Sequence, residues 1–262
     1  GKINEIESIE SIHKWVINHE ERSKEQTTHW WYETLPSEQK ESFRNIVMSR
    51  DMSNLFYSKF DYSYYTVEPI TKMNEIYVAS EKYNKNSDTV FFMNHIDGPF
   101  YLFFPFCRVY RCIFAINENK RISTKFPSID KKYTLTTGDI VAFDFNREIH
   151  IIECNEQKEN KECRITLKLH YVVYPKILNY FGKILKKLTT IYDINARKLF
   201  LATINPKESL VQKVSDLIIY TTDITYLIEN YIGFYNLSIL ILTFYIKFDL
   251  LATFITYFYY FY

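Results

Sequence analysis

The chain has 262 residues and a formal net charge of +1, with 32 lysines and arginines against 31 aspartates and glutamates. This length favours one moderate domain with appendages over two equal domains, and the near-neutral charge gives no support for a nucleic-acid partner. The cysteines lack Cys-x-x-Cys spacing, which argues against a structural zinc site and favours free thiols on the reducing, cytoplasmic side. They are Cys107, Cys112, Cys154 and Cys163.

Residues 1–60 are predicted to be helical. Ile6, Ile9 and Ile12 recur at helical spacing. Ser37 follows Pro36 at the start of a second helical run, where serine commonly caps the first turn. No side chain in this region carries obvious chemistry, so we expect these helices to pack on the core.

From 61 to 175 the pattern changes to short runs rich in β-branched and aromatic residues, separated by polar turns. Such runs predict β-strands. Many short strands with no helix-length segment between them predict an antiparallel sandwich or barrel. The strand candidates are 64–68, 75–79, 89–94, 109–116, 121–126, 140–145, 149–153 and 164–173, and 155–162 is predicted to be a solvated hairpin loop.

After the last strand candidate the pattern becomes helical again. An apolar stripe flanked by lysines predicts an amphipathic basic helix that lies on the core or on an anionic membrane surface. The stripe is Ile177, Leu178, Phe181, Ile184, Leu185 and Leu188, and the lysines are Lys176, Lys183, Lys186 and Lys187.

Further on, residues 231–262 contain only Lys247 and Asp249 as charges. A single spanning helix would place both charges inside the membrane, which is costly. We therefore expect either two core helices or a helical hairpin that enters one leaflet, and we expect residues 176–262 to associate with a membrane.

Two histidines and an aspartate provide a candidate metal site. His95 and Asp97 are two positions apart, so on an extended strand their side chains point to the same face. His150 follows 55 residues after His95, on another strand candidate. Two imidazoles and one carboxylate leave one side of an ion open, as in non-haem Fe(II) oxygenases that bind a cosubstrate and O₂. A hydrolytic zinc site would need a general base, and none is evident beside these residues.

Arg164 indicates the kind of cosubstrate. It lies 14 residues after His150, beyond the predicted hairpin loop, so the two strands can run side by side. A guanidinium there suits the far carboxylate of a dicarboxylic cosubstrate such as 2-oxoglutarate. Thr166 faces the same side and offers a hydroxyl. Arg108 and Arg111 are candidates for a second cation, and strand alternation lets only one of them point inward.

These motifs resemble those of Fe(II)/2-oxoglutarate-dependent dioxygenases, and within that superfamily the chain is most similar to the aspartyl/asparaginyl β-hydroxylase family. The matching residues, within roughly 91–175, are His95 with Gly98-Pro99, Arg108 and Arg111, Phe143-Asp144 with His150, and Arg164 leading to Tyr174-Pro175. Asp97 departs from the family, whose first motif lacks the acid. The resemblance implies a mainly β core, a double-stranded β-helix or cupin-like jelly roll, with helices on both flanks. It also implies iron on the two histidines and 2-oxoglutarate on Arg164 and Arg111.

The sequence therefore predicts three regions, helical 1–60, an oxygenase core at 61–175 and a helical, hydrophobic 176–262. The predicted reaction is the Fe(II)-, 2-oxoglutarate- and O₂-dependent hydroxylation of a C–H bond, with succinate and CO₂ as co-products. The substrate is open between a lipid and a protein, including a peptidyl aspartate or asparagine side chain. The alternatives are a metal-binding or non-catalytic β-barrel module that docks at a membrane or partner protein, and a cupin-type enzyme with a different reaction.

Overall fold

The structure is a computed structural model that describes residues 1–19, 27–79, 94–100, 103–154, 163–204, 233, 242–244 and 246–247. The chain divides into two compact units, Gly1–Ser215 and Asp216–Tyr262. In the second unit, residues 242–244 and 246–247 are helical. The predicted strand residues 89–93, the whole predicted loop 155–162 and most of 231–262 lie outside the described residues. Among the helices that are described, none is long and apolar enough to cross a membrane.

The described part of the first unit contains helices α1 (Ile6–Asn18), α2 (Ser37–Val47), α3 (Arg50–Tyr57) and α4 (Asn179–Ile204). Its strands are β1 (Thr28–Trp31), β2 (Tyr65–Pro69), β3 (Glu75–Val78), β4 (Arg108–Ala115), β5 (Ile122–Phe126), β6 (Lys131–Tyr133), β7 (Ile140–Asp144), β8 (Ile151–Cys154) and β9 (Ile165–Pro175). Short 3-10 helices lie at Tyr32–Thr34, Thr71–Met73, Pro127–Ile129 and Lys176–Leu178.

The strands form two antiparallel sheets. The large sheet has the order β1-β3-β9-β4-β7, with β2 paired to the C-terminal half of β9, and the small sheet has the order β6-β5-β8. From β4 onward the chain crosses repeatedly between the two sheets, because β4, β7 and β9 lie in the large one and β5, β6 and β8 in the small one, where β5 and β6 are consecutive. The predicted β core with helices at both ends is confirmed. The division into three regions at 60 and 175 stays a prediction.

Strand β9 has two faces with different neighbours, one packed on the N-terminal helices and the other lined with buried polar side chains. Side chains alternate between the faces of a strand, so Leu167, Leu169 and Tyr171 share one face and join the apolar cluster that includes helices α1 to α3. The Tyr171 hydroxyl donates to the Val47 carbonyl oxygen of α2 over 2.8 Å. Burial of this apolar face stabilises the sheet–helix layer by about 25 cal/mol for each Å² removed from water.

The other face of β9 is polar, although it is also largely buried. It carries Arg164, which immediately precedes the strand, and then Thr166, Lys168 and His170. Buried polar side chains of this kind must find partners within the protein or a ligand. The buried polar side chains on this face of β9 are therefore candidates for a functional site.

The prediction that residues 1–60 are helical is wrong at β1. Thr28–Trp31 pairs with Glu75–Val78 of β3 as the edge strand of the large sheet, and Trp30 is buried in the main core. Tertiary pairing decides the conformation of so short a segment. The predicted cap at Ser37 is also wrong, because Pro36 occupies the N-cap position and no side chain caps α2.

Helix α4 lies on the core through part of the predicted apolar stripe, since Leu185 is fully buried and Ile184 is half-buried. Its buried line is Gly182, Leu185, Thr189 and Asp193. The stripe residues Ile177, Phe181 and Leu188 are exposed instead. The reason is the buried ring of Tyr174 at the end of β9, which lies directly against Gly182. A close approach of this kind sets which face of the helix turns inward.

We predict that Gly182→Ala destabilises the protein by about 1–3 kcal/mol, because a Cβ at this position would overlap the Tyr174 ring. In an exposed helix the same change would stabilise the protein by about 1 kcal/mol. The sign of the change in the free energy of unfolding therefore tests whether α4 packs on the core through Gly182. Urea unfolding measures the difference. Lys187→Ala, at an exposed position of α4, is the control and should change stability by less than about 0.5 kcal/mol. An unchanged or higher stability of Gly182→Ala would contradict this arrangement.

Candidate metal centre

The structure brings His95, Asp97 and His150 together. His95 and His150 form an isolated antiparallel bridge in which each backbone N–H donates to the other's carbonyl oxygen over 3.1 Å. His150 directly precedes β8, so the bridge adds the His95 segment to the edge of the small sheet. The turn after Asp97 is held by the Gly98 N–H, which donates to the Phe145 carbonyl oxygen over 3.0 Å.

One ligand atom from each of the three side chains lies within 4.8 Å of the others. The Nε2 atom of His95 is 3.6 Å from Oδ1 of Asp97, and the Nε2 atom of His150 is 3.7 Å from Oδ2 of Asp97. Bonds of about 2 Å to a shared ion place two ligand atoms up to about 4 Å apart. The two distances to Asp97 lie within this range, and the full spread of up to 4.8 Å is slightly wider, so one shared ion would draw the three side chains closer together.

The two carboxylate oxygens of Asp97 have different surroundings. Oδ1 lies 2.7 Å from the Arg111 guanidinium, whereas Oδ2 is buried without a hydrogen-bond partner among the described residues. Burial raises the pKa of Asp97, but the charges of Arg111, His150 and His95 outweigh it and hold the pKa below its ordinary value. The side chain is thus an ionised carboxylate with an unused, buried acceptor.

The imidazole of His150 is held in its neutral form. Burial lowers the pKa of His150 to about 3, against a smaller opposing effect of Asp97. The rings of Phe143 and Phe126, at centroid distances of 4.6 and 6.2 Å, provide the apolar surroundings. Nδ1 lies 3.4 Å from the Glu148 carbonyl oxygen. Since that oxygen only accepts, the proton sits on Nδ1 and the Nε2 lone pair points to the cluster.

Arg111 supports the cluster from the large sheet. Its Nε donates to Nε2 of His170 over 2.9 Å, and its NH2 lies 3.9 Å from the Asp193 carboxylate of α4. Arg108, three residues earlier, is exposed, so the choice between the two arginines is decided in favour of Arg111. The predicted contact of Arg111 with 2-oxoglutarate stays a prediction, since the contacts seen are with Asp97, His170 and Asp193.

Arg164 lies in the interior with an unbalanced charge. The side chain is 4% exposed, and its guanidinium donates to the Thr124 hydroxyl of the small sheet over 3.3 Å. Within the described residues no carboxylate forms a salt bridge with it. Burial lowers the pKa of Arg164 to about 10, and only Tyr77 opposes the shift. An arginine still carries its charge at neutral pH under these conditions, so it is a buried cation ready for an anion.

Thr166 lies beside this cation, two positions along β9. Its hydroxyl donates to the Tyr77 carbonyl oxygen over 3.4 Å, and it is fully buried. The predicted pairing of Arg164 and Thr166 on one face therefore agrees with the strand geometry, while their role in cosubstrate binding stays a prediction.

Sequence reasoning missed a second group of buried charges on the same face. Lys168 lies 2.8 Å from the Glu75 carboxylate, and His29 lies 3.1 Å from it. Burial alone would raise the pKa of Glu75, but Lys168 and His29 outweigh it and hold the pKa well below its usual value. Lys168 and His170 lie four and six residues after Arg164, and on a strand this even spacing places their side chains on the same face as Arg164. That spacing was the pattern from which their position could have been predicted. Asp193 and Glu75 come from distant elements and gave no such signal.

Comparison with known proteins does not assign the chain to a family. No protein-family model matches the chain, and no curated protein matches it. A solved structure of NgTET1 in complex with 5mC DNA is similar over 65% of this chain and 66% of that chain, with a TM-score of 0.28 and 10% sequence identity. This chain therefore spans just under two thirds of that one. A likeness at this score carries no argument, so the interpretation rests on the site itself.

We predict that the metal-free protein loses stability as the pH falls below about 6.5. The unfolded chain protonates His150 near its ordinary pKa of 6.5, whereas the folded protein does so only near about 3. Lowering the pH from 6.5 to 5 should therefore cost about 2 kcal/mol through this residue. In His150→Gln the loss should be smaller by that amount, and in His13→Gln it should match the wild type. Denaturant unfolding at several pH values measures it, and equal pH dependence in both variants would refute the prediction.

Proposed function

We propose that the protein is an Fe(II)- and 2-oxoglutarate-dependent oxygenase that hydroxylates a C–H bond with O₂ and releases succinate and CO₂. One observation carries the proposal. A His-Asp-His cluster and an unbalanced buried guanidinium occupy the interior of the same two-sheet core. A metal site alone would not need the guanidinium, and an anion site alone would not need the cluster.

The residues present fit Fe(II). His95, Asp97 and His150 would hold it, since they offer two imidazole nitrogens and one carboxylate oxygen, the donor set of non-haem iron oxygenases. The buried Oδ2 of Asp97 lacks a hydrogen-bond partner among the described residues, as expected of an atom meant to bind a cation. The second Asp97 oxygen is fixed by Arg111, as the outer partners of metal ligands commonly are.

The surroundings of Arg164 fit the far carboxylate of 2-oxoglutarate. A guanidinium forms paired, charge-assisted hydrogen bonds with a carboxylate. The Thr124 hydroxyl is already within hydrogen-bond distance of Arg164, and Thr166 lies next to it on β9. We propose that Arg164 and Thr166 hold this end of the cosubstrate, with the 2-oxo acid end toward His150. Arg111 is the proposed second cation of the pocket.

The order of the strands supports a double-stranded β-helix. The chain from β4 onward crosses repeatedly between the two sheets, apart from the consecutive pair β5 and β6, and His95 bridges to His150 directly before β8. Winding of this kind places the start of β8 and the start of β9 in the same interior, which is where His150 and Arg164 lie. We propose this fold as the frame of the site.

These contacts suggest a separate role for each residue of the site. Bound Fe(II) supplies the activation of O₂ that hydroxylation requires. His95, Asp97 and His150 set its position, Arg111 keeps the Asp97 carboxylate oriented, and Arg164 orients the cosubstrate. Phe126 and Phe143 line the His150 side of the site and exclude water from it.

The narrower hypothesis, taken from the resemblance in the sequence, is hydroxylation of a peptidyl aspartate or asparagine side chain. Turnover of 2-oxoglutarate in the presence of Asp- and Asn-containing peptides tests it. Stimulation by these peptides, with a mass increase of one oxygen on the peptide, is the expected result. Stimulation by lipids alone would reject the narrower hypothesis and keep the broader one.

We predict that the purified protein binds one Fe(II), or Mn(II) as a redox-stable substitute, and that His150→Ala abolishes this binding. Loss of a ligand removes a bond that no neighbouring residue replaces. Isothermal titration calorimetry under anaerobic conditions measures the affinity. His13→Ala, on α1, is the matched control and should bind as the wild type does. If the wild type binds no divalent metal, the proposed function is wrong.

We predict that Arg164→Met weakens 2-oxoglutarate binding by about 3 kcal/mol, or roughly 100-fold, while metal affinity stays the same. The same change should leave the ligand-free protein as stable as the wild type or more stable, because it removes an unbalanced buried charge. Arg108→Met, at an exposed position of β4, is the control with unchanged affinity. Unchanged affinity in Arg164→Met would reject the assigned role. Strong destabilisation would indicate that Arg164 has a structural partner instead.

A further inference from the structure

Exposed aromatic and apolar side chains are concentrated where β2 lies beside the end of β9. Tyr64 is 70% exposed and Ile177 is 91% exposed. Their segments are joined, because the Lys176 N–H donates to the Tyr64 carbonyl oxygen over 2.8 Å. Single exposed apolar residues are common on protein surfaces, but neighbouring ones mark an interaction site.

Two adjoining grooves extend this surface. Tyr57, Lys59 and Lys176 line the first groove. Lys59, Phe106 and Arg108 line the second, which has a volume of about 370 Å³. Lys59 belongs to both grooves, so the surface is continuous. We call it the aromatic–basic patch and define it as Tyr57, Lys59, Tyr64, Phe106, Lys176 and Ile177.

The charge of the patch is positive. Lys59 and Lys176 form no salt bridge within the part of the chain that the structure describes, and Arg108 is exposed beside them. Of the residues that line the two grooves, Asp61 is the one acid. Its carboxylate accepts a hydrogen bond from the Ser63 N–H over 2.7 Å, and its single negative charge leaves Lys59, Lys176 and Arg108 in excess.

The beginning of α4 also carries exposed aromatic side chains and an exposed lysine. Tyr180 and Phe181 are both exposed, with their rings 6.0 Å apart, and Lys183 on the next turn is also exposed. Exposed aromatic rings, a bulky aliphatic side chain and lysines thus occur along the segments that form and adjoin the patch.

We infer that the aromatic–basic patch binds the surface of an anionic lipid bilayer. Tyrosine rings are favoured at the boundary between headgroups and acyl chains, and Ile177 and Phe106 gain by leaving water there. Lysines close to the surface are attracted by anionic headgroups. A nucleic acid would use the cations but would give Ile177 no apolar environment. This inference is independent of the metal and of 2-oxoglutarate.

Sedimentation of the full chain with lipid vesicles tests the inference. Binding to mixed phosphatidylcholine–phosphatidylserine vesicles should exceed binding to phosphatidylcholine alone and should weaken with salt. Lys59→Glu with Lys176→Glu should lower the partition coefficient by at least roughly 20-fold, since each lysine contributes about fivefold. Tyr64→Ser with Ile177→Ser should lower it by at least about tenfold on both kinds of vesicle.

Matched controls lie on the small-sheet side of the molecule, in the segment from the end of β5 to β6. Ile129→Ser and Lys131→Glu change an exposed isoleucine and an exposed lysine there, and they should leave vesicle binding unchanged. Thermal unfolding shows that each variant is folded, and the two patch variants are independent tests. Equal binding to neutral vesicles, no binding, or unchanged binding of both patch variants would overturn the inference. Tighter binding to an oligonucleotide than to anionic vesicles would overturn it as well.

Discussion

The buried ion pair between Asp97 and Arg111 connects the candidate metal centre to the rest of the structure. A carboxylate removed from water is costly unless a cation and hydrogen bonds compensate it. Arg111 provides that compensation, and its own position is set by His170 of β9 and by the charge of Asp193 on α4. One guanidinium thus links the loop that carries Asp97 to two strands of the large sheet and to the last helix of the first unit. The geometry of the metal ligands depends on all of them.

The interior face of β9 carries charges that are balanced at one end and unbalanced at the other. Lys168 is paired with Glu75, and His170 accepts from Arg111, so the charges at this end have partners within the protein, although Nδ1 of His170 is buried without a hydrogen-bond partner among the described residues. Arg164 has a hydroxyl partner and no carboxylate among the described residues. An unbalanced buried cation reduces stability, and such departures from a well-compensated interior are typical of binding sites. The two ends therefore differ in charge balance, since Lys168 is paired within the protein and Arg164 has no carboxylate within salt-bridge distance among the described residues.

Much of this arrangement follows from local sequence patterns. The spacing of His95 and Asp97, the short β-branched runs and the position of His150 before such a run predicted a cluster that the structure brings together. The strand candidates from β2 to β9 were found to within a few residues, although β6 was missed. The N-terminal strand β1 was taken as helix, because its four residues acquire their conformation by pairing with β3. The direction in which α4 faces was predicted only in part, since Leu185 of the stripe is buried but Phe181 and Leu188 are exposed. The contact of Gly182 with Tyr174 decides this direction.

The sequence by itself determined the types of the candidate ligands and the face that Arg164 and Thr166 share, because that face depends on a strand repeat of two residues. The predicted strand placement of His95 and Asp97 is wrong, since His95 forms an isolated bridge and Asp97 lies in a bend. Only the tertiary structure decided that Arg111 rather than Arg108 faces the site and that Asp193 and Glu75 join the buried charges. It also decided that Arg164 has no carboxylate beside it among the described residues. These features depend on the register between strands that are distant in the chain and on the docking of α4. No local pattern encodes either of them.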